Sequence, residues 1–387
     1  MGSSATGRAY LDHAATTPLR PEARDAMLGL LGERFGNPSG SHLTARRARA
    51  VVDECREAVA EALGAQPGEV VFTGSGTEAD NLAVLGQCRS PAGPGGTAVV
   101  GAAEHDAVLE CARAVGGRVV AVDADGAVDL DALADALDES VAVVSVMLAN
   151  NEVGTVQSLE PVAELVARRA PRAVLHTDAV QGCAWLDVAV AAARADMVAI
   201  SAHKFGGPQG TGALIVRGRA RPAPVILGGG QERGLRSGTH NVAGIAGLTA
   251  ALRATTEQRA ATVERVGRLR DRLADGLLAA VPDAVETGDR ARKVASNCHL
   301  RFPGVESEAL LFLLDEAGVE ASAGSACASG AMEPSHVLVA MGVDPAEAVS
   351  SLRLSLGWCS TGADVDRALE VVPEAVARLR AGAGVAS

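Results

Sequence analysis

The chain has 387 residues, 48% of them hydrophobic but only 2% aromatic, and its 35 basic and 47 acidic residues leave a net charge of −12 (35 − 47). That length allows two domains, or one large domain with a smaller companion. The charge speaks against direct binding of nucleic acid, which needs clustered Lys/Arg, and no apolar run approaches the roughly 20 residues of a membrane span.

A core poor in aromatics must be built from Ala, Val and Leu, and with 44 Gly this suits α/β layers of closely packed small side chains. Residues 1–7 lack a charged stretch followed by an apolar one, so they read as a flexible leader and not as a secretion signal. The seven cysteines are dispersed, odd in number and without a Cys-x-x-Cys pair. Neither a disulfide framework nor a zinc site is signalled, and a reducing cytoplasm is the expected compartment.

In chain order, residues 9–18 read as an extended segment entering a turn. Residues 43–63 place Ala48, Val51, Val52, Cys55, Val59 and Leu63 near helical spacing. Val- and Ala-rich runs follow at 69–72, 97–101, 118–122, 141–148, 173–177, 197–201 and 212–216. They lack strict alternation, as strands covered on both faces do. Helical stretches such as 129–137 and 162–169 lie between them, so the pattern predicts an α/β fold with a mostly parallel, helix-covered sheet. Gly95-Gly96 and Gly228-Gly229-Gly230 mark loops. A long helix over 243–280 leads to a smaller C-terminal α+β domain, and residues 381–387 read as a disordered tail.

In such sheets functional residues gather where the carboxyl ends of strands meet loops. Thr73-Gly74-Ser75-Gly76-Thr77-Glu78 stands between a strand and a helix, where small residues and free helix N–H groups suit a phosphate; taken alone, it suits a plain helix cap equally well. His105, after the 97–101 run, reads by itself as a structural histidine. Asp178 ends a buried strand, which is costly unless it meets a cation or a donor. Lys204, in Ser201-Ala202-His203-Lys204-Phe205-Gly206-Gly207-Pro208, is one of only two lysines, arginine holding the other 33 basic positions (35 − 2). Arginine stays protonated, whereas a lysine amine can lose its proton and attack a carbonyl. Lys293 has no such setting and reads as solvent-facing. An anion cradle, a buried aspartate and an amine together describe a pyridoxal 5'-phosphate (PLP) site.

Five motifs then resemble those of the NifS/IscS-type cysteine desulfurases, fold-type I PLP enzymes of the class V aminotransferase family. They are Leu11-Asp12-His13-Ala14-Ala15-Thr16-Thr17-Pro18, Asn150-Asn151-Glu152-Val153-Gly154, Ser201-Ala202-His203-Lys204, Glu232-Arg233-Gly234-Leu235-Arg236-Ser237-Gly238-Thr239 and Ser322-Ala323-Gly324-Ser325-Ala326-Cys327. The resemblance implies a large PLP-binding domain over 15–258 and a small domain from 1–14 and 259–387 that carries a mobile Cys327 loop. Lys204 would bond to the cofactor aldehyde, Asp178 would pair with the ring nitrogen, Gln181 would bond the ring hydroxyl, and His105 would stack on the ring and shuttle a proton. Gly76, Thr77, Ser201 and His203 would hold the phosphate, with Thr239 reaching in from a second protomer. Asn151 and Arg353 would bind the substrate carboxylate beside the cofactor, a task suited to a fork of donors.

Cys327 would be the nucleophile, and its Ala/Gly/Ser-rich surroundings offer little side chain to pack. The implied reaction turns L-cysteine into L-alanine, with the sulfur held as a persulfide on Cys327 and passed to an acceptor protein. Selenocysteine lyase, an aminotransferase or a non-catalytic sulfur-relay subunit are the competing expectations. Family members feed Fe–S assembly, tRNA thiolation, cofactor synthesis or DNA phosphorothioation. The chain lacks the longer tail with which many members engage an Fe–S scaffold, and its Ala/Gly/Arg-rich make-up resembles actinomycete proteins, among which phosphorothioation desulfurases occur. A homodimer is expected, because residues 228–239 carry Arg233, Arg236 and Thr239 without an obvious purpose inside one subunit.

Overall fold

In the computed structural model, which describes residues 7–91, 96–323 and 334–383, a short strand β1 (Ala9–Tyr10) precedes a seven-stranded sheet. Its strands are β2 (Val70–Thr73), β3 (Thr97–Gly101), β4 (Arg118–Val120), β5 (Val141–Ser145), β6 (Val174–Asp178), β7 (Met197–Ser201) and β8 (Gly212–Val216). The spatial order is β2-β8-β7-β6-β5-β3-β4. Neighbours from β7 to β4 run parallel, and β8 is antiparallel to both β7 and β2. Every residue of β2, β5, β6 and β7 is buried, which explains runs that are mostly apolar and do not alternate.

The helices preceding and covering the sheet are α1 (Pro21–Leu31), α2 (Leu43–Ala62), α3 (Gly76–Cys88), α4 (Asp106–Ala114), α5 (Leu130–Ala136), α6 (Leu159–Arg169), the single turn α7 (Val188–Ala191) and α8 (Val242–Ala280). One apolar cluster joins the sheet to α2, α5, α6 and α8 through Val52, Val59, Leu133, Val162 and Leu248. Another joins it to α3 and α4 through Ala79, Leu82, Val108 and Leu109. The chain continues with β9 (Val285–Glu286), β10 (Asn297–Arg301), α9 (Ser307–Glu316), β11 (Val319–Glu320), α10 (His336–Ala340), α11 (Pro345–Ala348), β12 (Ser351–Ser355) and α12 (Gly362–Ala383). Strands β12-β10-β9 form an antiparallel sheet and β11 pairs with β1. A third cluster unites Leu11, Leu300, Phe302, Leu310, Leu354 and Val372 with Val266, Leu273 and Leu277 of α8. Helix α8, 39 residues and about 58 Å long at 1.5 Å per residue, thus serves both bodies: Ile245, Leu248 and Leu252 pack on the large sheet and its later half on the small one.

Runs 97–101, 197–201 and 212–216 coincide with β3, β7 and β8. The run 141–148 leaves the sheet after Ser145, and β6 extends to Asp178. Two expectations need correction. Lys293 is not solvent-facing: its side chain is fully buried, with Nζ 3.3 Å from Glu286 Oε1. The reason is tertiary: Val156 N donates to Arg292 O and Val294 N to Gly154 O, which seals this segment against residues 154–156. Residues 381–383, expected to belong to a disordered tail, instead continue α12, and residues 384–387 lie outside the described residues. The leader up to residue 6, Gly95 and Cys327 lie outside the described residues. Among the described residues no helix is long and apolar enough to cross a membrane.

Candidate active site

The carboxyl ends of β2, β3, β5, β6 and β7 open on one side of the sheet, and the antiparallel β8 brings its first residue, Gly212, to the same side. β2 ends at Thr73, and Ser75 caps α3: its Oγ accepts from Glu78 N (3.0 Å) while Glu78 Oε2 accepts from Gly74 N (2.8 Å). Close packing at this turn requires glycine twice. A Cβ on Gly76 would stand 2.7 Å from Val180 Cγ2 and 3.2 Å from Ser201 Cβ. One on Gly212 would stand 2.7 Å from both Ile200 O and the Ser75 carbonyl carbon. The first turn of α3 is therefore pressed against the ends of β6 and β7, where its amides and positive dipole end form an anion cradle.

β6 ends on Asp178, a buried carboxylate whose Oδ1 accepts from Val180 N (2.8 Å). Burial raises its pKa, and the hydrogen bond from Val180 N and the charge of Lys204 oppose that rise. After β7, a single 3-10 turn (Ala202–Lys204) carries the lysine to Ala14 O (2.5 Å) and Ala15 O (2.8 Å). Burial lowers the Lys204 amine to about 8, helped by Arg353 and opposed by Asp178 and Asp12. His203 Nδ1 lies 3.1 Å from Thr16 Oγ1, and burial with the neighbouring Lys204 lowers it to about 4, so the ring is neutral. Gln181 Nε2 donates to Ala14 O (2.7 Å). The N-terminal segment thus forms one wall, which is why its sequence is polar and turn-rich.

His105 caps α4, its Nδ1 accepting from Ala107 N (3.1 Å), which leaves the proton of the neutral ring on Nε2. Asn150 builds the turn after β5, its Oδ1 accepting from Glu152 N (2.8 Å) and Val153 N (2.9 Å). Asn151 follows, its carbonyl accepting from Arg353 Nη1 (3.1 Å). Arg353 Nη2 in turn donates to Asp12 Oδ1 (2.9 Å). Gly76, Thr77, His105, Asn151, Asp178, Gln181, Ser201, His203, Lys204 and Arg353 all line one cavity of about 420 Å³.

Two site residues of the sequence reading stand apart. Thr239 is exposed and outside this cavity, and Cys327 lies outside the described residues. The argument from idle arginines is also corrected: Arg233 Nη2 donates to Val70 O (2.9 Å) and Arg236 Nε to Glu78 Oε1 (2.9 Å), both within the chain. Asp12 and Asp80 were missed as site residues. Asp12 stood in a quoted motif, and Asp80 was readable as an acid in the apolar stripe of Ala79, Leu82 and Ala83 on α3. The residues fit a phosphorylated pyridine aldehyde: a cradle for the phosphate, a buried carboxylate for the ring nitrogen and a lysine amine depressed toward neutrality.

Comparison with known proteins agrees. The chain matches the class V aminotransferase family over residues 9–368. It is 46% identical to an IscS-like cysteine desulfurase of Mycobacterium tuberculosis, over 96% of this chain and 97% of the relative. Among solved structures, a NifS-like protein superimposes with a TM-score of 0.88 at 33% identity, covering 96% of this chain and all of the other. DndA from Streptomyces lividans does so with a TM-score of 0.74 at 34% identity, covering 89% and 99%. Fold, PLP cavity and likeness along nearly the whole chain lead to one conclusion: this chain belongs to the class V aminotransferase family.

Proposed function

We infer that the chain is a PLP-dependent cysteine desulfurase that converts L-cysteine to L-alanine and passes the sulfur to an acceptor protein. The observation that carries this reading is Lys204, an amine held near pKa 8 in a cavity with an anion cradle and a buried aspartate. When bound, PLP supplies an aldehyde that captures amino groups and a ring that withdraws electrons from Cα.

The chain's own residues divide the remaining work. Lys204 would hold the aldehyde, and its amine, when free, could move the Cα proton of the substrate. Asp178 would pair with the ring nitrogen, and the first turn of α3 with Ser201 and His203 would hold the phosphate. Gln181 would bond the ring hydroxyl, and Nε2 of His105 would be placed to move a proton at the ring face. Arg353, oriented by Asp12, clamps the substrate carboxylate together with Asn151. Cys327, as a thiolate, would attack the substrate sulfur: the S–S bond of the persulfide forms as the substrate Cβ–S bond breaks, and the electron pair of that bond stays with the carbon skeleton, which takes up protons to leave as alanine. The Cys327 motif begins at Ser322, which lines the cavity and exchanges backbone hydrogen bonds with Arg353 (3.2 and 2.7 Å), and this supports the assignment.

The reading extends to a homodimer in the cytoplasm, with Thr239 completing the partner's phosphate site, because Thr239 is exposed and lies outside the cavity that Lys204 lines in its own chain. It also divides the chain into a large domain over 15–258 and a small one from 1–14 and 259–387, in keeping with the separate apolar clusters. The acceptor belongs to Fe–S assembly, tRNA thiolation or DNA phosphorothioation, the last in keeping with the likeness to DndA. Borohydride reduction followed by peptide mapping tests the core of the reading. A pyridoxyl adduct is expected on Lys204, and an adduct on Lys293 or on neither lysine overturns it. Cys327→Ser is expected to stay yellow and to lose sulfide release.

A further inference from the structure

Behind Asp178 lies a second group of buried titratable side chains that the reaction above does not use. Asp80 of α3 lines the cavity yet is 1% exposed, and its Oδ1 has no hydrogen-bond partner among the described residues. Facing it at 3.5 Å is Nε2 of His176, fully buried and likewise unpartnered. Nδ1 of His176 lies 2.9 Å from Ser145 Oγ, and Ser145 Oγ lies 3.5 Å from Glu104 Oε2. Glu104 is fixed at its other oxygen by the amide of Met147. A line of polar atoms thus runs from α3 through β6 and β5 to the end of β3, under the floor of the cavity. His176 and Asp178 stand two residues apart on β6, so both side chains face α3.

Three buried carboxyls, Asp80, Asp178 and Glu104, share this floor, and like charges so close cannot all ionise. The cation that faces them, Lys204, acts on Asp178. Among the described residues no cation offsets the charge of Asp80: burial, Asp178 and Glu104 all disfavour it, and Cys111 of α4 adds only a neutral thiol, itself pushed up to about 12. Burial also keeps His176 neutral. An unpaired acceptor facing an unpaired carboxyl oxygen is resolved when a proton lies between them.

We propose that Asp80 and His176 are a positioning pair, in which Asp80, as a carboxylic acid, donates a hydrogen bond to Nε2 of His176 and so leaves Asp178, and not Asp80, to carry the charge beneath a bound pyridine ring. The donors then run in one direction: Asp80 O–H to His176 Nε2, His176 Nδ1–H to Ser145 Oγ, and Ser145 O–H to Glu104. The proposal rests on PLP occupying the cavity, but the protonation of Asp80 can be read separately.

The test uses holoenzyme at pH 7. The infrared difference between the wild type and Asp80→Asn is expected to show the C=O stretch of a protonated carboxyl; carboxylate bands in its place overturn the proposal. The second readout is the pH midpoint of the bound cofactor's visible absorbance. Asp80→Asn, whose amide still donates, is expected to keep that midpoint within a few tenths of a unit, whereas Asp80→Val should move it by about one unit, tenfold in proton affinity. Coincident midpoints for the two variants overturn the positioning role. Should Asp80→Val not fold, Asp80→Asn against wild type decides, a shift of a unit counting against the proposal. A wild type that takes up no PLP defeats the functional reading instead, and the infrared band still reports on Asp80.

Discussion

Both lysines of the chain are buried, and burial lowers both amines, but their neighbours differ. Lys293 meets the carboxylate of Glu286, whereas the nitrogen of Lys204 meets only two backbone carbonyls, with Arg353 adding to the depression. A lower pKa means that free amine appears at lower pH. In the apoprotein, half-maximal labelling of Lys204 by an amine-directed reagent is therefore expected near pH 8, and Lys293 should stay protected until the chain unfolds. Mass spectrometry separates the two peptides cleanly, since no other lysine exists. Labelling of Lys204 only near the ordinary lysine pKa of 10.5 would contradict the depressed amine.

At the level of elements, the site depends on how closely the N terminus of α3 approaches β6 and β7. Gly→Ala in a helix is ordinarily favourable by up to about 1 kcal/mol. At Gly76 the sign reverses, because the added methyl meets Val180 at 2.7 Å and Ser201 at 3.2 Å. Overpacking of this kind costs about 1–3 kcal/mol, and the helix must retreat from the cradle it forms. Gly76→Ala is expected to weaken PLP binding at least tenfold in a spectrophotometric titration while keeping the helical signal in circular dichroism. An unchanged dissociation constant would show that the phosphate is not held there.

Across the whole molecule, Glu232 ties distant parts of the chain together. Its carboxylate accepts from Arg56 of α2, from the amide of Phe72 in β2 and from His240 just before α8. Glu232 and Arg233 adopt positive φ (48° and 58°), a conformation costing non-glycine residues about 1–3 kcal/mol each, which these bonds offset. Burial opposes its ionisation, but Arg56 and His240 hold the pKa down to about 2. A folded pKa below the unfolded value near 4.5 contributes stability that is complete above about pH 4.5 and is lost as pH falls through 2. Glu232→Gln should therefore unfold more easily at pH 7 by roughly 3 kcal/mol. That gap should close toward pH 2 in urea titrations at matched pH, and a gap independent of pH would argue against the ion pair as its source.

How far each level could be read depends on the range of the interactions that shape it. Strands such as β3, β7 and β8 were legible because burial on both faces leaves a local signature, continuous apolar runs between turns. The cofactor residues were legible because their chemistry is unusual for their place: an acid ending a strand, an amine where arginine rules, small residues ahead of a helix. Lys293 was misread because its burial comes from residues 154–156, more than a hundred positions away. Asp12 on Arg353 and Asp80 against His176 were invisible for the same reason, since they pair across 341 and 96 (176 − 80) positions. Composition and pattern by themselves pointed to the layers, the cofactor and the amine proposed to bind it. Only the tertiary structure decided which charges meet, because electrostatic partners are chosen by distance in space, to which position along the chain is no guide.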